Sequence, residues 1–148
     1  MVKSPPLDRL PLLALFRPLG EAFAVLLKEL RPEWPMGRHR MAETIVENVS
    51  LQELKQGLMD GSIVLIDIRE QNEWDAGHIP GAAPHPLSAF DPAALPRAEP
   101  GKRVVLHCRS GRRTLAALEA AQAAGRDDIT THFGGGMLAW VGAGEEVA

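Results

Sequence analysis

Two short apolar runs constrain this chain more than any other feature. Residues 63–68 read Ile-Val-Leu-Ile-Asp-Ile, broken by a single carboxylate, and Arg103–His107 reads Arg-Val-Val-Leu-His. Neither run alternates polar with apolar. A strand with one face in water alternates, so these two are expected to be covered on both faces. Helix signals fall between and after them. Ser50 with Glu53 three residues on is a capping box, which opens a helix with Leu51, Leu54 and Leu58 on one face. Asp60-Gly61 closes that helix with a turn. Residues 114–124 form a second helix pattern, stopped by Gly125. Further strands are expected at residues 44–49 and 129–133. Gly134-Gly135-Gly136 reads as a tight turn and residues 137–141 as a closing helical turn. Residues 69–100 are rich in Pro and Gly and allow at most short helical turns. Strands alternating with helices predict a three-layer α/β domain with a mainly parallel central sheet flanked by helices.

The chain has 148 residues, which suits one domain. Its first 40 residues differ from the rest. They hold six prolines and seven Lys/Arg against four acids, a balance of +3, which leaves −6 for the remainder. Residues 1–40 therefore read as an N-terminal extension, and residues 41–148 as the α/β domain. Within the extension, residues 18–30 are expected to form an amphipathic helix, with Phe16, Leu19, Phe23, Leu26, Leu27 and Leu30 at three-and-four spacing. Its polar face mixes Glu21, Lys28 and Glu29, not the basic set expected at anionic lipid, which fits docking on the domain behind it or on a second copy better than a membrane-surface or partner-binding role. Residues 16–30 are the segment through which a homodimer or partner contact would form. Met41 is a second candidate for the natural start.

Composition excludes several functions. A net charge of −3 gives no general affinity for nucleic acid. No apolar run approaches the roughly 20 residues needed to cross a bilayer, and the patch near Leu10 lacks the features of a signal peptide. The single cysteine excludes an internal disulfide and a multi-thiolate zinc site. It suits a reducing, cytoplasmic setting. His85 and His132 have no sequence partner that suggests a metal, and no metal or cofactor is expected.

That single cysteine, Cys108, stands where the second buried run ends. Ligands of an open parallel sheet gather outside the carboxyl ends of its strands. The loop Cys108-Arg109-Ser110-Gly111-Arg112-Arg113 then leads into the helix expected from Thr114. A loop this short can turn several N–H groups inward as an anion nest, and the helix dipole adds positive potential. Gly111 supplies the backbone freedom, and three arginines supply charge. Such a setting lowers a thiol pKa from ~8.5 to between about 3.5 and 7.5. Free cysteine is often a small buried hydrophobe. A filler, however, belongs in mid-strand or mid-helix. Cys108 is accordingly read as a nucleophile, ionised and open to solvent.

The segment HCRSGRRT (107–114), the upstream DIREQNEWDAGHIPGA (67–82) and the closing FGGGMLAW (133–140) together resemble the rhodanese-like domain family. The resemblance spans residues 43–141. It implies a single-domain sulfurtransferase in which Cys108 takes the outer sulfur of a donor such as thiosulfate, becomes a persulfide, and passes the sulfur to cyanide or a thiol. Arg109, Ser110, Gly111, Arg112, Arg113 and Thr114 would bind the donor, with Arg113 the first choice for direct contact. Arg109 and Arg112 read equally well as solvated charges at the rim. The competing functions are a persulfide carrier or protein-docking module with little turnover and, less favoured, a phosphatase or arsenate reductase. Enzymes of those last kinds that resemble rhodaneses place five residues between Cys and Arg. Here Arg113 follows after four, and the next residue is Thr114. The narrower loop suits a sulfur atom better than a phosphoryl group.

Asp67, Arg69 and Glu73 could serve as acid and base. They are read instead as an ion-pair set tying a strand end to the next loop, since half-buried charges need partners. The resemblance implies the same supporting role. His78 is expected to satisfy backbone groups in a turn. His107 should point away from the thiol by strand alternation. Ala83-Pro84-His85-Pro86 departs from the family pattern, and its proline confines any strand there to a sheet edge.

Overall fold

Five parallel strands build the sheet in the computed structural model, which describes residues 43–148. The expected extension, its helix, its partner contact and the boundary at Met41 lie outside the described residues. In chain order the elements are β1 (Glu47–Asn48), α1 (Leu51–Asp60), β2 (Ile63–Asp67), α2 (Gln71–Asp75), β3 (Ala83–Pro84), β4 (Arg103–His107), α3 (Arg112–Ala123), β5 (Thr131–Phe133) and α4 (Gly136–Gly142). The spatial order is β1-β5-β4-β2-β3. The expected mainly parallel α/β architecture is the one observed.

Both apolar runs lie at the sheet centre. β4 pairs with β2 along its length, Ile63 opposite Arg103 through Asp67 opposite His107, and with β5 on the other side. Their side chains alternate between two cores. Ile66, Ile68, Val104, Leu106 and Cys108 face Ala117, Leu118 and Ala121 of α3. Ile63, Leu65, Val105 and Phe133 face Leu54 of α1 and Met137 and Trp140 of α4. Each fully buried Val, Leu or Ile contributes about 1.5–3 kcal/mol. Gly57 lets α1 settle close to β2, because a side-chain carbon there would overlap the Ile63 side chain.

The helix signals hold. Ser50 Oγ accepts from the Glu53 N–H at 3.1 Å, and the Glu53 carboxylate accepts from the Ser50 N–H at 2.8 Å. Gly61 ends α1 in the left-handed region at φ 77°. The Pro84 strand is an edge, pairing only with β2. The Pro/Gly-rich stretch holds α2 and two 3-10 turns, Leu87–Ala89 and Pro92–Ala94. The outer strands are shorter than their apolar patterns suggest. Ile129 is core but lies in a turn, its N–H bonded to the Arg126 carbonyl. No helix among the described residues is long and apolar enough to cross a membrane.

One boundary matters for the site. α3 starts at Arg112, two residues before the expected Thr114, because Gly111 takes the cap position at φ 85°. Arg112 and Arg113 therefore belong to the first helical turn rather than to the loop.

Candidate active site

Cys108 follows the last residue of the central strand β4, and the chain reaches the start of α3 within four residues. The Gly111 N–H points at Cys108 Sγ at 3.2 Å. Burial pushes the thiol pKa up. The N–H groups of Thr114, Ser110, Gly111 and Arg113 pull it down by more, so the net shift is below the ordinary thiol value. An amide cradle at the sulfur is what the loop composition predicted.

The expectation of an open thiol fails. Cys108 is 1% exposed and belongs to the core beside α3. Its position between two packed segments is the reason. The Met137 N–H bonds the Cys108 carbonyl at 2.9 Å, and the Leu138 N–H bonds the Arg109 carbonyl at 3.1 Å. Gly136 permits that contact, since a side-chain carbon there would lie 2.6 Å from the Cys108 carbonyl oxygen. The sulfur is thus lined by amides on its loop side and by hydrocarbon behind.

The loop residues separate by role. Arg109, Ser110 and Arg112 are exposed. Arg113 turns sideways to Glu73, with a fork of two hydrogen bonds at 2.7 and 2.9 Å. The Arg113 guanidinium holds the Glu73 carboxyl at about 2. The guanidinium expected at the donor therefore pairs with a residue 40 positions away. Thr114 is fully buried. Its hydroxyl donates to the Gly111 carbonyl at 2.9 Å and lies 2.6 Å from His132 Nδ1, so only its backbone N–H faces the sulfur.

The supporting residues gather as a structural set. Asp67 and Arg69 are 0% and 6% exposed, and Arg69 Nη2 donates to Asp67 Oδ2 at 2.7 Å and to the Gly77 carbonyl at 2.8 Å. Glu73 departs from that pair and joins α2 to α3 through Arg113. His78 Nδ1 lies 3.2 Å from the Trp74 carbonyl, and the two rings stack at 3.7 Å. His107 points to the face opposite the thiol. Its Nδ1 lies 3.1 Å from the Cys108 carbonyl, and burial lowers its pKa, which keeps the ring neutral. Among the described residues no group of three or more His, Cys, Asp or Glu could hold a metal ion.

The His132 contact was not read from sequence. A signal existed: Thr114 sits on the stripe of α3 that carries Ala117, Leu118 and Ala121. A buried hydroxyl there needs a partner.

A family model described as the rhodanese-like domain matches residues 50–143, more than half of the chain. An uncharacterized Synechocystis protein is 40% identical over 106 residues, covering 70% of this chain and 58% of its own length. The chain thus spans less than two thirds of that relative. Human thiosulfate:glutathione sulfurtransferase is 34% identical over 99 residues, covering 58% of this chain and 86% of the enzyme. The solved human single-domain sulfurtransferase superposes with a TM-score of 0.54 at 31% identity, covering 64% of this chain and 95% of that one. The match of that family model to residues 50–143, which include the lone cysteine after the central parallel strand, makes this chain a member of the rhodanese-like domain family.

Proposed function

We propose that the protein is a sulfurtransferase that carries a sulfane sulfur on Cys108. The observation behind this reading is the set of N–H groups, from Ser110, Gly111, Arg113 and Thr114, that favours an anion at Sγ. The Cys108 thiolate attacks the outer sulfur of thiosulfate or of a persulfide donor. The donor's S–S bond breaks, and sulfite or a thiolate leaves with the bonding pair. The new Cys108 persulfide ends in an anionic sulfur that the same amides hold. A thiolate or cyanide acceptor then attacks that outer sulfur, and the Cys108 thiolate returns. Splitting one transfer into two displacements is covalent catalysis.

Arg109 and Arg112 attract the anionic donor from the rim. Arg113 holds the start of α3 against α2. The spacing of four residues between Cys108 and Arg113 gives a narrower loop than the five-residue one of phosphatases, which favours a sulfur atom over a phosphoryl group. A human relative named for thiosulfate and glutathione supports a thiol as the acceptor. The lone thiol works in a reducing, cytoplasmic setting.

Intact-mass measurement tests the reading. Thiosulfate alone should add one sulfur to the protein, cyanide should remove it, and Cys108→Ser should take none. A wild-type protein that stays unloaded with both thiosulfate and a persulfide donor would leave only a docking module. Brisk hydrolysis of an aryl phosphate would favour phosphatase chemistry instead.

A further inference from the structure

We propose that His132 is a positioning residue for the cysteine loop: through the Thr114 hydroxyl it holds the Gly111 carbonyl, and with it the loop whose N–H groups face Cys108 Sγ. The inference rests on Cys108 being the nucleophile.

Proton bookkeeping sets the direction of the chain. Thr114 Oγ1 lies 2.9 Å from the Gly111 carbonyl oxygen and 2.6 Å from His132 Nδ1. A hydroxyl has one proton, and a carbonyl can only accept. Thr114 therefore donates to Gly111, and His132 carries the Nδ1 proton that serves the hydroxyl oxygen. His132 is 7% exposed, and burial lowers its pKa, so the ring is neutral with Nε2 bare. Protonation at Nε2 would leave the Nδ1–H in place, so the tether is not a pH switch.

Gly111 is where tether and sulfur meet. Its N–H is the donor at 3.2 Å from Sγ, and its carbonyl is the group that Thr114 holds. Its φ of 85° belongs to the left-handed region, and a side-chain carbon on it would collide with the Gly134 carbonyl. Gly134 is two positions beyond His132 and is itself held by Asn48, whose Oδ1 accepts its N–H at 2.7 Å. The end of β5 thus braces the loop in two ways, by a polar tether at Thr114 and by backbone contact at Gly111. Loss of the Nδ1 donor frees the Thr114 hydroxyl to rotate and loosens the Gly111 peptide.

The experiment follows alkylation of Cys108 by iodoacetamide against pH on the full chain, with thermal unfolding measured beside it. His132→Asn places an amide nitrogen near the position of Nδ1, whereas His132→Gln places one near Nε2. His132→Gln and Thr114→Val should each move the inflection up by about one unit and slow alkylation at neutral pH about tenfold. His132→Asn should restore most of the loss, and the double variant should be no worse than either single one. Equal behaviour of Asn and Gln, or a lower melting temperature with an unmoved inflection, would overturn the inference while leaving the nucleophile intact. A wild-type thiol that titrates like free cysteine would end both readings.

Discussion

At Cys108 two opposed effects act on one atom. Removing a thiolate from water raises its energy, and hydrogen bonds to a charged group recover about 1.5–3 kcal/mol each. The N–H groups of four residues outweigh the burial, and the thiol pKa falls. The arginines nearby do not all share that work. Arg113 is engaged by Glu73, which leaves Arg109 of the loop and Arg112 of the first helical turn as the exposed guanidiniums beside the site. Exposed charges act at long range and are screened by salt. Arg109→Ala and Arg112→Ala should each raise KM for thiosulfate severalfold with kcat nearly unchanged. Added salt should erase most of the difference. Steady-state kinetics at two ionic strengths check this, and a fall in kcat alone would place the guanidinium at the reacting sulfur instead.

The start of α3 shows how an element sets the roles of its residues. A left-handed glycine at the cap admits helical geometry from Arg112 onward, so Arg113 leaves the loop mouth and reaches back to α2. That contact carries a pH dependence of defined sign. The Glu73 carboxyl is held at about 2, below its usual 4.5, first by the hydrogen bonds from Arg113. A depressed carboxyl stabilises the fold above the unfolded value and loses that contribution as pH falls toward the folded one. Stability should therefore decline between about pH 4.5 and pH 2, and Glu73→Gln should flatten that part of the profile. Urea midpoints measured across the range test it. At α1, Ser50→Ala removes a capping acceptor and should cost about 1 kcal/mol with no effect on thiol reactivity. Chemical denaturation and alkylation together separate the two.

Across the described domain, the sheet divides two cores, and Cys108 stands at its carboxyl edge. Cys108 closes one core while His107 enters the other side, which a single period-two step accounts for. The Asp67–Arg69 pair binds the end of β2 to the carbonyl of Gly77 beyond α2. Asp67→Ala would leave the Arg69 guanidinium buried beside an unfilled space. The expected loss is about 3–5 kcal/mol. That is a large share of the 5–15 kcal/mol typical of a domain. A fall in the urea midpoint at constant slope is the signature to seek, whereas a changed slope would mean the native or unfolded state itself had altered.

Local rules explain what was legible in the sequence. The Ser50–Glu53 box, the unalternating runs at β2 and β4, the Pro84 edge strand and a thiol at a strand end beside Gly111 all follow from short-range periodicity and backbone freedom. Arg113 choosing Glu73, Thr114 finding His132 and Cys108 closing into the core were decided only by tertiary structure. Each depends on which distant segment the sheet order brings alongside, and neighbouring residues in the chain carry no record of that.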